Sequence, residues 1–289
     1  MKIQKPKVIA VVGPTASGKT SFAISLAKKN NGEIVSADSR LVYIGFDIGT
    51  AKPSIEEREG IPHHMIDIVE PEVDYSAGLY AQEAEKKILD IFARGKLPII
   101  VGGTGLYFRL LLENYDVPKV EPDYDLRQEL SLLSFDELYK ILLKTDSVRA
   151  AEISKNDKKK IIRAIEIAKH LEKPLSEYKK EPKFDVEWIG LNYPRDILYE
   201  RINKRVDIMI KDGLVEETEY LLKKHGRIKN IIYTIGYQEI VSYLDNEISL
   251  EEAKEKIKQN TRNYAKRQLT WFRKNSLIKW NCEPVRLKK

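Results

Sequence analysis

The stretch Val8-Ile9-Ala10-Val11-Val12-Gly13-Pro14-Thr15-Ala16-Ser17-Gly18-Lys19-Thr20 decides how this 289-residue chain is read. Five apolar residues form a strand candidate, Gly13 to Thr20 fits G-x-x-x-x-G-K-[ST], and Ser21 to Lys28 continues with helical spacing. Strand, loop, lysine and helix in register make a phosphate-binding loop rather than a chance pattern. Its glycines let backbone N–H groups turn inward, and the helix start adds partial positive charge. Gly13, Thr15, Ala16, Ser17, Gly18, Lys19 and Thr20 are therefore the candidate cradle for a diphosphate or triphosphate, with the Thr20 hydroxyl as candidate Mg²⁺ ligand. The alternative is a Gly-rich strand-to-helix turn that holds nothing.

Working outward, Gly32 to Asp38 reads as a second strand that delivers Asp38 to its C-terminal end, the edge where open α/β sheets bind ligands. On that reading Asp38 ends the strand next to the phosphate loop. Leu97 to Val101 is a third strand, apolar throughout as a buried parallel strand should be, and runs into Gly102-Gly103-Thr104-Gly105. Helical patterns cover Tyr75 to Arg94 and Leu106 to about Leu112. Phe184 to Leu191 alternates like a strand and precedes a helix from about Arg195 to Lys211, stopped by Gly213. On it Arg201 and Arg205 lie one turn apart on one face. The adjacent His63 and His64 project to opposite sides of an extended segment, which argues against a two-histidine metal site.

Between these blocks the chain turns irregular from Glu113 to Asp125, with Pro118 and Pro122. Arg127 to Lys180 is mostly helical and lysine-rich, and Pro174 and Pro182 close it. The expected organisation is a P-loop NTPase-like parallel sheet flanked by helices: residues 1–115 its first part, 116–183 a small helical insertion, 184–289 its second part with basic C-terminal helices. A long helix from Lys254 to Lys274 sets Lys258, Arg262 and Lys266 on one face. Ile257, Tyr264 and Trp271 fall on another and read as core.

Apolar residues make up 42% and charged residues 33%, the balance of a soluble globular protein, and no apolar run could span a bilayer. With no signal-peptide core at its start, the chain is expected in the cytoplasm. One cysteine, Cys282, leaves no room for an internal disulfide or a multi-cysteine metal site. Net charge is +6, but Glu251 to Lys289 alone carries 12 Lys and Arg against 4 Asp and Glu. That local balance of +8 exceeds the whole-chain value, so basicity is focused at the C-terminal end, as for a polyanion partner; a solvated lysine-rich face is the alternative.

A phosphate loop usually announces phosphoryl transfer, which needs an acid at the end of an apolar strand. Leu97 to Val101 ends in glycine instead, and no N-K-x-D guanine signature occurs. A carboxylate beside a bound diphosphate, Asp38, suits a general base acting for a nucleophile that displaces the diphosphate. An Mg²⁺-water ligand or a helix cap is the plainer role for Asp38.

Taken in order, Gly13 to Thr20, Ser36-Ala37-Asp38-Ser39-Arg40, Asp47-Ile48-Gly49-Thr50-Ala51-Lys52-Pro53, Gly102 to Tyr107, Arg163-Ala164-Ile165-Glu166, Ile235-Gly236-Tyr237 and Thr261 to Trp271 resemble the tRNA dimethylallyltransferase family over nearly the whole chain. The resemblance implies transfer of a dimethylallyl group from dimethylallyl diphosphate to N6 of the adenosine 3′ of the anticodon, with Mg²⁺ and release of diphosphate. It implies that Asp38 takes the N6 proton and that Lys19, Thr20 and an arginine of the Arg201/Arg205 pair, with Arg205 favoured, hold the diphosphate. Asp38, Ser39, Arg40, Leu41, Thr104, Arg127, Lys159, Lys160, Ile161, Ile162 and Arg163 would meet the tRNA anticodon stem-loop. Leu41 stands where the family usually has glutamine, and Ile44 and Lys160 where arginine is common. The chain is expected to act as a monomer, away from membranes. Two other readings compete: a P-loop kinase or ATPase of the adenylate-kinase type, and an RNA-binding protein whose phosphate loop is only a nucleotide switch.

Overall fold

The computed structural model describes residues 5–113, 120–171 and 182–281. Cys282, Pro118, Pro174 and the 172–180 end of the lysine-rich stretch lie outside them. Two compact units emerge, one of residues 1–108 with 183–289 and one of residues 109–182. The second begins at Arg109, inside a helix, a few residues before the irregular stretch that marks the boundary in the sequence.

The larger unit is built on six strands: β1 (Lys7–Val12), β2 (Gly32–Ala37), β3 (His63–His64), β4 (Leu97–Gly102), β5 (Asp185–Leu191) and β6 (Lys279–Asn281). Every pairing is parallel, in the order β3-β2-β4-β1-β5-β6. β1 and β4 read as apolar runs because neighbours cover both faces; Val8, Ala10, Val11, Val12, Ile99 and Ile100 have no exposed surface. Each large apolar side chain so buried is worth about 1.5–3 kcal/mol. The strand order corrects one expectation. β4 lies between β1 and β2, so Asp38 ends a strand two places from the phosphate loop, roughly 10 Å across the ladder at about 4.8 Å per strand.

Helix α1 (Lys19–Asn30) packs Ala23, Ile24 and Ala27 onto β1 and β4. α2 (Ala77–Ala93) starts at the N-cap Ser76, whose side chain accepts the Leu79 N–H, and α3 (Gly105–Leu112) follows the glycine turn after β4. α8 (Arg195–Lys211), α9 (Leu214–His225), the single turn α10 (Lys229–Ile232), α11 (Tyr237–Leu244) and α12 (Leu250–Phe272) complete this unit. α12 opens with a capping box between Ser249 and Glu252, which explains its start four residues before the apolar pattern becomes clear.

Several of the motif residues serve as struts. Glu217 on α9 accepts the Ile48 and Gly49 N–H groups at 2.8 and 2.9 Å and the Tyr237 hydroxyl at 2.7 Å. Lys52 reaches back to Asp47 at 2.7 Å, to Asp67 and to the Tyr43 carbonyl at 3.0 Å. The Asp47 to Pro53 loop and Ile235-Gly236-Tyr237 are thus one buried polar staple.

The smaller unit contains α4 (Tyr124–Ser131), α5 (Phe135–Thr145), α6 (Ser147–Glu152) and α7 (Lys158–Lys169), packed around Leu130, Leu138, Leu142, Ala150 and Ile161. Asp123, Ser134, Asp146 and Asp157 each cap the helix that follows. Among the described residues no helix is long and apolar enough to cross a membrane.

Candidate active site

The phosphate loop leaves β1 at Gly13 and enters α1 through Gly18, whose φ of 75° is the left-handed conformation glycine adopts without steric cost. Gly18 caps α1 with no side chain, and no acid lies in the first turn. The first N–H groups of the helix are left for a ligand, and its dipole is uncompensated. Ala16 holds a positive φ of 62°, a strained conformation of the kind stored at functional sites. Its methyl packs against Leu198 and Ile202 of α8 and Ala265 of α12, so two helices press on the loop.

Lys19, Arg201 and Arg205 gather here, and none of them has a carboxylate ion pair among the described residues; Asp38 acts on Lys19 and Glu57 on Arg205 only through the field. Lys19 folds back onto the Pro14 carbonyl at 2.5 Å. Burial of its ammonium lowers the pKa to about 7, with Asp38 pulling it upward and Arg205 pressing it down. Burial also lowers Arg205, and Arg201 lowers it further. Arg205 Nη1 donates to Thr15 Oγ1 at 3.2 Å. Arg201 lies over the Tyr193 ring at 4.2 Å, and its Nη1 is buried with no hydrogen-bond partner. The buried Ser17 hydroxyl likewise has none. A buried polar atom left unpaired costs about 1–3 kcal/mol, so two such atoms in one place point to a missing polar ligand.

Asp38 follows β2, and its Oδ1 accepts the Arg40 N–H at 2.9 Å, which fixes the carboxylate's direction. Ser39 N donates to Thr104 Oγ1 at 3.0 Å, tying the end of β2 to the turn after β4. Asp38 is also the strongest upward influence on the Lys19 ammonium. The field of the general-base candidate therefore reaches the cradle despite the intervening strand. That strand ends in Gly102-Gly103, and a Cβ at Gly103 would stand 2.0 Å from Gln268 Nε2. What approaches this backbone is a protein side chain.

Arg40 is held by the Thr234 hydroxyl at 3.1 Å and lies over the Tyr43 ring at 5.5 Å. Leu41 and Thr104 are half-buried beside it in sequence and in the turn. Tyr264 and Gln268 are residues the sequence reading missed. Tyr264 lies in the fields of Asp38 and Arg40; burial, then Asp38, raises its pKa. Gln268 was the available signal, a polar residue one turn beyond Tyr264 on a face otherwise read as core. Lys258, expected to face outward, is buried and pairs with Asp207 and Glu255 at 2.9 Å each.

In the helical unit, considered by itself, the expected basic strip divides. Ile161 is fully buried in the unit's core, a correction to its expected place on the RNA face; Ile162 is half-buried. Arg127 grips the buried Glu166 with Nε and Nη2 at 2.8 and 2.9 Å, and Arg163 bonds Glu166 and the Val120 carbonyl, the latter at 2.8 Å. Burial alone would raise the Glu166 pKa, but the two guanidiniums hold it below the usual range. Both arginines brace Glu166 in this unit, and each side chain stays 35% exposed. Lys159 and Lys160 remain exposed, Lys160 with Asp157 at 2.5 Å as its only ion pair among the described residues.

His64 Nε2 meets Glu33 at 2.7 Å and His63 Nδ1 meets the Ile61 carbonyl at 2.8 Å, so the two rings serve separate hydrogen bonds. At the cradle, the hard oxygen donors are the Thr15, Ser17 and Thr20 hydroxyls, while the Asp38 carboxylate ends a strand two places away. Oxygen-only donors in small number suit Mg²⁺, which keeps waters and takes substrate phosphate oxygens as ligands.

The comparisons agree with this geometry. The IPP transferase family matches residues 41–275. The tRNA dimethylallyltransferase of Caldanaerobacter subterraneus subsp. tengcongensis is 48% identical over 286 residues, covering 95% of this chain and 91% of its own. That of Macrococcus caseolyticus is 46% identical, covering 96% and 91%. Among solved structures, the tRNA isopentenylpyrophosphate transferase of Bacillus halodurans superposes with a TM-score of 0.74 at 41% identity, covering 96% of this chain and 90% of that one. A eukaryotic dimethylallyltransferase acting on tRNA superposes with a TM-score of 0.82 at 33% identity, covering 92% and 70%. With the family matched over most of its length and relatives near half-identical across it, the chain belongs to the tRNA dimethylallyltransferase family.

Proposed function

We propose that this protein transfers a dimethylallyl group from dimethylallyl diphosphate to the exocyclic N6 of the adenosine immediately 3′ of the anticodon in tRNA, releasing diphosphate. The observation that carries the reading is the meeting of Lys19, Arg201 and Arg205 with no carboxylate ion pair to any of them among the described residues, beside a loop whose helix start is uncapped. A departing diphosphate supplies the missing charge. An adenine amine is a poor nucleophile, so the rate depends on ionising the C1–O bond of the allylic donor. Negative charge then grows on the diphosphate oxygens. Backbone N–H groups at Ser17 to Thr20, the Lys19 ammonium and the Arg205 guanidinium stabilise it, and one such donor is worth about 2.7–4 kcal/mol. Asp38 takes the N6 proton as the C–N bond forms, adding about 10²–10⁴-fold. Mg²⁺, held by Thr20 and the diphosphate, would add Lewis-acid stabilisation of the leaving group.

The target base must leave its stack, which costs a few kcal/mol and least in a loop. Ser39, Arg40, Leu41 and Thr104 border Asp38 and are placed to receive it; leucine at 41 offers packing where an amide would offer hydrogen bonds. Lys159 and Lys160, exposed at the start of α7, are among the bases of the helical unit available to RNA phosphates. A kinase or ATPase reading is disfavoured because β4 ends in Gly102 with no acid. The test is mass analysis of an anticodon stem-loop after incubation with the protein, Mg²⁺ and dimethylallyl diphosphate. One dimethylallyl unit added to the adenosine 3′ of the anticodon is expected. An unmodified stem-loop, with phosphate released from ATP instead, would overturn the assignment.

A further inference from the structure

Gln268 sits on α12 and is 5% exposed, yet both ends of its amide are used. Oε1 accepts the Thr15 N–H at 2.8 Å, and Nε2 donates to the Gly103 carbonyl at 3.0 Å. Because one partner is an N–H and the other a carbonyl, the amide has a single orientation that satisfies both. Thr15 and Gly103 lie just beyond β1 and β4, where the ladder ends at Val12 and Gly102. Their backbone groups have left the sheet's hydrogen bonds, and the glutamine replaces what the ladder no longer gives.

The bridge reaches further through Thr15. Its hydroxyl accepts Arg205 Nη1 from α8 at 3.2 Å, so the residue is gripped from α12 by its N–H and from α8 by its hydroxyl. Ala265, three residues before Gln268, packs with Leu198 and Ile202 of α8 and Ala16 of the loop, which keeps the two helices in register. One turn before Gln268, Tyr264 lies in the field of Asp38, whose neighbour Ser39 donates its N–H to Thr104 in the turn after Gly103. A single helix therefore ties the cradle on one side and the base-facing turn on the other.

We propose that Gln268 is a positioning residue for transfer: it holds Thr15 so that Arg205 is aimed at the diphosphate, and it fixes the spacing between the cradle and the Gly103–Thr104 turn. The assignment rests on the reading of the cradle as the diphosphate site. Neither hydrogen bond is made to substrate. Loss of the bridge frees the Thr15 N–H and lets the loop move relative to the turn, and a displacement of about 1 Å in a reacting pair costs about 10²-fold.

The experiment is single-turnover transfer to an anticodon stem-loop at saturating donor and RNA, with Gln268→Met in the wild-type and Arg205→Ala backgrounds. Methionine keeps the volume and removes both hydrogen bonds. The wild-type background should lose about 30–100-fold in rate, with stem-loop affinity within about twofold. In the Arg205→Ala background the same change should cost at least about threefold less than in the wild-type background, because one of the two things the bridge positions is gone and only the spacing remains. Equal losses in both backgrounds, a loss explained by weaker RNA binding, or a wild-type rate for Gln268→Met would overturn the proposal. If Arg205→Ala alone runs at the wild-type rate, the diphosphate clamp is what fails. The Gln268 tie is then decided by Gln268→Met alone, where a wild-type rate overturns it and a slowed rate with intact RNA binding supports it. Should Gln268→Met not accumulate folded, Thr15→Val removes only Arg205's acceptor and should lose about tenfold, while Thr15→Ser stays within about threefold. Equal rates for those two variants would also overturn it.

Discussion

The two ends of β2 treat charge in opposite ways. Near its start, Glu33 is 2% exposed and closed by hydrogen-bond partners: Arg94 at 2.5 and 2.8 Å, Lys96 at 2.7 Å and the His64 ring at 2.7 Å. The Arg94 hydrogen bonds, opposed by burial and assisted by Lys96 and His64, hold the Glu33 carboxyl well below the usual range. Past its other end, Asp38 is fixed by a backbone N–H, and the cations Lys19, Arg201 and Arg205 are left without a carboxylate in contact. The first arrangement is finished without a ligand and serves folding. The second is incomplete, and its cost in stability is what a substrate anion recovers on binding.

Substitutions at the two ends should therefore split activity from stability. The largest change expected is for Asp38→Asn, with transfer reduced about 10²–10⁴-fold while donor and stem-loop binding persist, read by single-turnover rates and equilibrium binding. Lys19→Met should reduce transfer by about 2.7–4 kcal/mol in transition-state free energy. Its midpoint of urea unfolding should stay level or rise, since a buried, unpaired cation is removed. Glu33→Gln should do the reverse. About 3 kcal/mol of stability is lost, the low end for a broken buried pair because Arg94 and Lys96 reach water, with transfer by the folded fraction unchanged.

Acid sharpens the same contrast. A carboxyl whose folded pKa is depressed adds stability that is fully present above its unfolded value and disappears as pH falls toward the folded one. Wild-type stability should drop between about pH 5 and pH 3 more steeply than that of Glu33→Gln, as followed by urea unfolding. The smallest effect belongs to the other unit. Reversing Lys159 and Lys160 to glutamate should weaken stem-loop binding, with donor affinity unchanged. The log–log salt slope of that binding should fall by about 0.7 for each RNA phosphate that is no longer neutralised.

Local chemistry carried much of this into the sequence. Gly13 to Thr20 announced the cradle because glycine, lysine and threonine are needed at those spacings, and Asp38 was legible as the end of a short strand. The strand order was not, because nothing near Asp38 records that β4 lies between it and β1. The glycines after β4 leave no room for a side chain, but what crowds Gly103, Gln268, is 165 residues away and nothing near Gly103 records it. Arg127 and Arg163 looked like outward bases since charge on a helix usually faces water. Glu166, three residues after Arg163 and fully buried, draws both inward, and only tertiary packing shows that a carboxylate can be buried there. Tyr264 looked like core for the same reason, since helical spacing locates a face but does not say what the face meets.

Calorimetry of dimethylallyl diphosphate binding at pH 8, in two buffers of different ionisation enthalpy, tests the incomplete cation cluster most directly. The free Lys19 ammonium, lowered to about 7, is mostly neutral at that pH, and a bound diphosphate raises its pKa. Binding should draw close to one proton from buffer per diphosphate bound, and Lys19→Met should abolish the uptake. Tight binding without proton uptake, or the same uptake in Lys19→Met, would contradict the account.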